Sequence, residues 1–453
     1  MERVEELKPA TVVVESIDLT HDALGVCKLE NGFMIFVEGM LKGERAEIVI
    51  TETKKNYGFG KIVNLLEKSP YRVAAKCKHF DTCGGCSLMH MDYDLQLSFK
   101  KYRVETTLKR IGLNNVLVND MIGMANPYNY RNKVEIKFNQ GEKGIEAGFF
   151  QAKSHTLVNL DECHIMPKRV YDLLVLIKNV SNELGIKAYD EESKTGVFKS
   201  AVMRESNKTK KLSVLFNLSV GQTIPQSDVF VKKILAKIPE VASIAYSSTN
   251  DESSYSMDEI VQLHGEDGLI DSIDGMDFWI GHRSFFQTNP IQTERLYKKA
   301  LDYANLTGKE KVIDAYCGIG TISLVAAKKA FKVFGIEVVK PAIQDARKNA
   351  EINHLKNVFF EVGEAEIVIQ KWKKFKFDVI FVDPPRKGCD KAMLDAVINM
   401  KIPKIVYISC DPGTLARDLK ILADGGYNIL EVTPFDMFPQ SVHVETVTLL
   451  QLK

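Results

Sequence analysis

Long apolar runs are missing from this sequence, and so is an excess of charge of either sign. The longest hydrophobic stretches, such as Val379–Val382 and Ile405–Ile408, have the length of a strand and fall far short of a membrane span. Met1–Leu7 is acidic and carries no hydrophobic stretch, so no secretory signal is expected and the chain reads as cytoplasmic. Lys and Arg number 60 against 59 Asp and Glu, a net charge of +1. That balance gives no global pull on nucleic acid and leaves any polyanionic partner to local patches. Eight cysteines in 453 residues do not make a disulfide framework in such a protein; where they cluster they point to metal or catalysis. Internal repeats and low-complexity segments are also missing.

What is present is the composition of a folded soluble protein, 45% hydrophobic and 26% charged, long enough for two to four domains. Residues 1–66 alternate short β-rich runs with turn signals. Thr11–Ser16, Gly25–Leu29, Phe33–Val37, Arg45–Thr51 and Tyr57–Leu65 read as strands of a small closed barrel of the oligonucleotide-binding type. An amphipathic helix is expected around Tyr93–Ile111, with Leu97, Tyr102, Val104 and Leu108 on its apolar side. Residues 125–280 mix strands (Lys133–Phe138, Ala147–Gln151, Leu212–Leu218, Ile244–Ser248) with helices around Lys168–Glu183 and Ser227–Ile238, and Asn207–Lys211 looks like a hairpin tip. From about residue 286 strands and helices alternate, the rhythm of a parallel doubly wound sheet. Its strands are Val312–Ala315, Val333–Glu337, Val358–Val362, Phe377–Asp383 and Lys404–Ser409. Two local basic runs stand out: Lys100, Lys101, Arg103, Lys109 and Arg110, and Lys371, Lys373, Lys374 and Lys376 with Trp372 and Phe375 between them. Each is by default a solvated face and only secondarily an RNA surface.

The first strand of the α/β region runs into Tyr316-Cys317-Gly318-Ile319-Gly320-Thr321, a turn where glycine lets a ligand approach the backbone at a helix N-terminus. Two glycines spaced this way suit many nucleotide folds. The second strand ends at Glu337, 23 residues past Asp314, where a carboxylate can take both ribose hydroxyls of an adenosyl group. The fourth ends in Asp383-Pro384-Pro385, and two prolines force the chain to turn at the carboxyl edge of the sheet, where ligands sit in such folds. These elements in this order favour S-adenosylmethionine over NAD.

The fifth strand delivers Cys410 just ahead of a helix at Thr414–Ala423, where the helix dipole and free amides are expected to favour a thiolate. A strand-end cysteine is equally often plain packing. Glu445, in Ser441-Val442-His443-Val444-Glu445-Thr446, is a carboxylate that could serve it, although a lone glutamate on a strand is usually solvated. Such a pair has a use. Carbon 5 of uracil is a poor nucleophile until a thiolate adds to carbon 6, and after methyl transfer a base must remove the carbon 5 proton so that the sulfur can leave.

Five motifs occur in one order along the chain: Ser284–Asn289, Asp314–Thr321, Asp383–Arg386, Ser409–Pro412 and His443–Thr446. Together they resemble the S-adenosylmethionine-dependent RNA uracil-5-methyltransferase family, over nearly the whole chain. The resemblance implies a Rossmann-like class I methyltransferase domain (93–124 and 281–453). It also implies an N-terminal TRAM-type barrel (1–66) and a central α+β iron–sulfur domain (67–92 and 125–280). It implies Cys410 as nucleophile, Glu445 as base, and Gln287, Tyr316, Glu337 and Asp383 as contacts to the methyl donor. Asp411 stands where many relatives carry Asn, which leaves a contact there open. The TRAM-type barrel, carried by many rRNA-directed members, tilts the expected substrate to 23S rRNA; tRNA methylation at a uridine-54-type position is the alternative.

Cys77, Cys83, Cys86 and Cys163 could meet in space, and four thiolates would suit zinc as well as iron–sulfur. In the resembling family these positions hold a [4Fe–4S] cluster, which sets the expectation here. The CxxxCxxC spacing of radical enzymes is absent. Cys317 is expected to pack in the glycine turn, while Cys27 and Cys389 have no assigned role. Amino-group methylation, suggested by Asp-Pro-Pro, would need an aromatic after it, and Arg386 stands there instead. A non-catalytic RNA-binding or ribosome-assembly factor on the same fold is the non-enzymatic alternative. RNA is the expected partner, with no DNA and no membrane, and the chain is taken as a monomer.

Overall fold

The computed structural model describes residues 11–248 and 260–453; Met1–Leu7 lies outside the described residues. Thr11–Leu19 (β1), Gly25–Lys28 (β2), Met34–Val37 (β3), Arg45–Thr53 (β4) and Tyr57–Glu67 (β5) close into a barrel in the order β1-β2-β3-β5-β4. Alternate residues point inward, and Val14, Cys27, Ile35, Val37, Ala46 and Ile48 fill the interior. On β5 the first two inward positions, Gly58 and Gly60, are glycines, and Ile62 follows them against the core. A Cβ at Gly60 would stand 2.9 Å from Ile48 Cδ1 and one at Gly58 3.1 Å from Ile35 Cδ1, so the aromatic residues of this strand face out.

Helix α1 (Tyr93–Arg110) and the short strand β6 (Leu117–Val118) follow. Then comes an α+β unit: β7 (Lys133–Gly141), β8 (Gly144–Phe150), β9 (Leu157–Asn159), α2 (Lys168–Glu183), β10 (Phe198–Glu205), β11 (Leu212–Leu218), α3 (Ser227–Lys237), β12 (Val241–Ser247) and β13 (Val261–Gly265). Its seven strands run in the order β13-β12-β11-β10-β7-β8-β9 around one core. The expected hairpin tip joins β10 to β11; β10 itself, with its uneven alternation, was not foreseen. The hairpin β14 (Gly268–Ile273) and β15 (Met276–Gly281) leads into the α/β region.

That region comprises α4 (Pro290–Ala304), β16 (Lys311–Ala315), α5 (Thr321–Ala327), β17 (Lys332–Glu337), α6 (Lys340–Ile352), β18 (Val358–Val362) and α7 (Ala365–Lys371). It continues through β19 (Val379–Val382), α8 (Lys391–Met400), β20 (Lys404–Ser409), α9 (Pro412–Asp424), β21 (Tyr427–Phe435) and β22 (Glu445–Leu452). The sheet order is β18-β17-β16-β19-β20-β22-β21-β6: parallel from β18 through β20, β22 antiparallel, and β6 returning from much earlier in the chain to pair parallel with β21. Strands covered on both faces read as unbroken apolar runs, which is why Val379–Val382 is wholly buried.

The first basic run is corrected by this packing. Lys100 is fully buried, Arg103 donates to the Val442 carbonyl, and Lys101 pairs with Asp120 at 2.7 Å, so only part of the run faces solvent. The buried stripe of α1 is Gln96, Phe99, Lys100, Val104 and Leu108, while Tyr102 is 51% exposed. In the second run Trp372 packs edge-on against Phe334, 5.6 Å between centroids, and is a structural residue. Among the described residues no helix is long and apolar enough to cross a membrane.

Candidate active site

One edge of the eight-stranded sheet gathers the candidate residues. Asp314 lies on β16 and Glu337 ends β17, while Asp383 and Cys410 come just after β19 and β20. Strand β22 runs the other way, so its first residue, Glu445, stands at the same edge. Ser409 is opposite Thr446 in the β20–β22 ladder, which brings Cys410 and Glu445 to neighbouring positions at its end.

On the donor side the backbone is bent sharply. Tyr316 has φ +67°, followed by Gly318 at +54° and Gly320 at +84°. A left-handed tyrosine costs about 1–2 kcal/mol, a strain found where a site over-determines the backbone. Glu337 braces this turn: its carboxylate accepts from Gly318 N at 3.1 Å and Val339 N at 2.9 Å. Cys317 is buried in the turn as expected. Gln287 is buried, and its carbonyl accepts from Asn132 Nδ2 at 3.1 Å, which ties the Gln287 segment to the chain entering β7. Asp314, buried and accepting from Ser323 Oγ at 2.5 Å, has its carboxyl raised by burial to about 7. Burial raises Asp383 to about 7 as well.

The Cys410 thiol is pushed up to about 12, first by burial and then by the charges of Glu445 and Asp383; Arg386 offsets a little. Glu445, 6% exposed, is raised well above the usual carboxylate range by burial and by Asp383, again with Arg386 opposing. The thiolate expected from the helix terminus is therefore not the resting form. Pro412 brings no N–H to the first turn of α9, and Asp411 caps the helix through Thr414 N at 2.8 Å, so a carboxylate already answers the amides. Rich in acids and poor in cations, the pocket suits a positively charged ligand.

The Asp383–Cys389 segment is braced from α9, a feature the sequence reading missed. Thr414 Oγ1 donates to Arg386 O at 3.1 Å, and Arg417 donates to Lys387 O at 3.0 Å and Cys389 O at 3.2 Å. The fully buried Asp418 accepts from Cys389 N at 2.8 Å and from Tyr407 OH at 2.6 Å. The sequence signal for it was an acid set among Leu415, Leu419 and Leu422 on the buried face of α9. Cys389, unassigned from sequence, is part of this brace.

The other thiols form a second group. Cys77, Cys83, Cys86 and Cys163 are free and near enough for each to feel the charge of others in the set. The Gly85 amide reaches Cys83 Sγ at 3.4 Å, and the backbone at His79, and at Ile165 and Met166, partly opposes the upward shift that burial imposes on Cys77 and Cys163. Among the described residues, however, no group of three or more His, Cys, Asp or Glu side chains is arranged to hold a metal ion. The metal-binding expectation thus finds neighbouring thiols without a formed ion site.

Comparison with known proteins agrees with this geometry. The tRNA (uracil-5-)-methyltransferase family model matches residues 273–453 and the TRAM domain model residues 4–63. An uncharacterized RNA methyltransferase of Halalkalibacterium halodurans is 44% identical over 450 residues, covering 98% of each chain. One of Staphylococcus aureus is 40% identical over 453 residues, covering 99% of this chain and 98% of its own. The crystal structure of Pyrococcus abyssi tRNA (uracil-54, C5)-methyltransferase with S-adenosyl-L-homocysteine superimposes with a TM-score of 0.77 at 30% identity, over 96% of this chain and 99% of that one. With its TRAM barrel, its methyltransferase sheet and these relatives, the chain belongs to the RNA uracil-5-methyltransferase family.

Proposed function

We propose that this S-adenosylmethionine-dependent enzyme methylates carbon 5 of a uridine in 23S rRNA through a covalent bond from Cys410. The observation that carries the reading is the meeting of Cys410, Glu445 and Asp383 at the end of the β20–β22 ladder. The methyl donor supplies an electrophilic methyl group and a positive charge. Asp383 and Glu337 stand where they can orient it, and its charge opposes the shifts that hold Cys410 and Glu445 protonated. Cys410 Sγ, once ionised, adds to carbon 6 of the uracil, and the electron pair moved to carbon 5 forms the bond to the methyl group as the donor's sulfur–methyl bond breaks and S-adenosylhomocysteine leaves. Glu445, as carboxylate, then takes the carbon 5 proton, the carbon 5–carbon 6 double bond re-forms and the sulfur leaves.

The TRAM-type barrel is what favours rRNA. The likeness to a tRNA (uracil-54, C5)-methyltransferase over 96% of this chain favours tRNA as the second reading, because it leaves little of the barrel unmatched. Labelled methyl donor with unmodified 23S rRNA and tRNA transcripts, followed by nucleoside analysis, separates them. 5-Methyluridine in rRNA is expected; label in tRNA alone moves the substrate, and label in neither removes the function. Such an enzyme would work in the cytoplasm, with its RNA.

We also assign a [4Fe–4S] cluster to Cys77, Cys83, Cys86 and Cys163. Four thiols near enough to feel charge within the set, with the Gly85 amide on Cys83 Sγ at 3.4 Å, suit an iron–sulfur core. It would pin the 77–86 loop to Cys163, since methyl transfer needs no redox step. Iron and sulfide analysis after anaerobic purification tests this; zinc without sulfide overturns it.

A further inference from the structure

The face of α1 turned toward the catalytic edge is polar, and its partners lie in the connection 436–444 that joins β21 to β22. Tyr93 OH donates to Asp436 Oδ2 at 2.8 Å. Lys100 Nζ donates to Asp436 Oδ1 at 2.5 Å and to Phe438 O at 3.1 Å. Gln96 and Gln440 bond twice, Nε2 to Oε1 and Gln440 N to Gln96 Oε1, both at 3.1 Å. Arg103 donates to Val442 O. Residues 93, 96, 100 and 103 recur at helical spacing and form one stripe.

Two features show that this contact holds a particular conformation. Gln440 is buried with φ +70°, a left-handed position that costs a non-glycine residue about 1–2 kcal/mol. It is held on every side: Gln96 takes its N–H and its side-chain oxygen, while Ser87 N and Leu88 N donate to its carbonyl at 2.8 and 2.9 Å. The Lys100–Asp436 pair is fully buried on both sides. Apolar residues of similar size would usually stabilise such a position as well or better, so a buried pair kept here serves orientation. The connection pinned in this way ends at Glu445, the first residue of β22.

We infer that Gln96, with Tyr93, Lys100 and Arg103, is a positioning clasp that sets the 436–444 connection so that Glu445 faces the carbon 5 proton of the RNA adduct. The inference rests on the covalent reading above. Cys410 is delivered by β20 and α9; α1 also packs on α9 through Val104 and Leu108, but the side-chain bonds of Tyr93, Gln96 and Lys100 go to neither α9 nor β20. Loosening the clasp therefore strikes proton removal and spares sulfur addition and methyl transfer.

RNA carrying 5-fluorouridine separates the two halves, because fluorine at carbon 5 cannot leave as a proton and the adduct accumulates after methyl transfer. Gln96→Leu removes both hydrogen bonds to Gln440. Lys100→Met combined with Asp436→Asn removes the ion pair without leaving either charge orphaned. In full-length variants that melt as cooperatively as the parent, adduct formation with 5-fluorouridine RNA and donor should stay within about twofold of the parent. Turnover on uridine RNA should fall roughly 10- to 100-fold, with kcat/KM for the RNA held and KM falling alongside kcat as a covalent protein–RNA species builds up on uridine RNA. Adduct formation and turnover falling together, or turnover untouched in both variants, overturns the clasp. A parent enzyme that traps no 5-fluorouridine RNA removes the covalent reading itself, before any variant is made.

Discussion

Burial pushes the thiols of Cys410 and Cys86 up to about 12 alike, yet the two lie in unlike company. Around Cys410 stand two carboxylates, Glu445 and Asp383, and one cation, Arg386. Around Cys86 stand three more thiols, Cys163, Cys83 and Cys77, with Arg131. Cys410 is set by the sheet, at the end of a buried strand, whereas the other four sit in irregular segments held together by local hydrogen bonds. A raised thiol alone does not tell a nucleophile from a ligand. The neighbours differ in what they suit: an acid beside a thiol suits proton exchange with a substrate, and a thiol beside thiols suits a shared ion or a disulfide.

Substitution gives the sharpest break between the two. Cys410→Ala should cut turnover by about 10⁴-fold or more and abolish the 5-fluorouridine adduct. Cys163→Ser should leave Cys410 able to form that adduct while lowering bound iron and the melting temperature. Equal loss of the adduct in both variants would erase the distinction. Glu445→Gln comes next, with turnover down about 10³-fold and adduct accumulating on ordinary uridine RNA.

The pocket also predicts a pH dependence. Asp383, raised to about 7, is neutral below that pH and a carboxylate above it, and only the carboxylate attracts a sulfonium. Donor affinity, measured by calorimetry without RNA, should strengthen about tenfold from pH 6 to pH 8 if one proton is released on binding. Asp383→Asn should flatten the slope. A slope that survives this change transfers the titration to Asp314, also near 7.

Much of this edge was legible in the sequence because buried parallel strands write themselves as apolar runs that stop at a functional residue. Glu337 and Cys410 were placed by where a run ended, Asp383 and Glu445 by their motifs, and none needed a distant partner to be known. Features that depend on distant partners were not legible. The apolar side of α1, read as Leu97, Tyr102, Val104 and Leu108, left out the buried Gln96 and Lys100, whose partners, Gln440 and Asp436, lie at the far end of the chain. Strand β6 is two residues long and exists only through its pairing with β21. The protonation of Cys410 was misjudged because burial, and then Glu445 and Asp383 brought in from other strands, hold the thiol up, which a motif read as spacing does not weigh.

The smallest effect is expected in the N-terminal barrel. Phe36, Tyr57 and Phe59 lie on the outer face of the barrel, with ring centroids 5.5 to 6.0 Å apart, and none belongs to its core. Lys153, from the turn after β8, brings its ammonium to 5.8 Å from the Phe59 ring. Glycine inside and aromatics outside invert the usual pattern of a strand, and an exposed aromatic face beside a lysine suits an unpaired RNA base. Stacking on such rings is worth about 1–3 kcal/mol per base, so Tyr57→Ala with Phe59→Ala should weaken RNA binding by roughly 10-fold. Because these rings touch neither Cys410 nor the 436–444 connection, the loss should fall on KM for RNA, with kcat and donor affinity unchanged. A fall in kcat at constant KM would mean that the barrel's aromatic face reaches the chemistry, and the separation between RNA binding on that face and catalysis at the sheet edge would not hold.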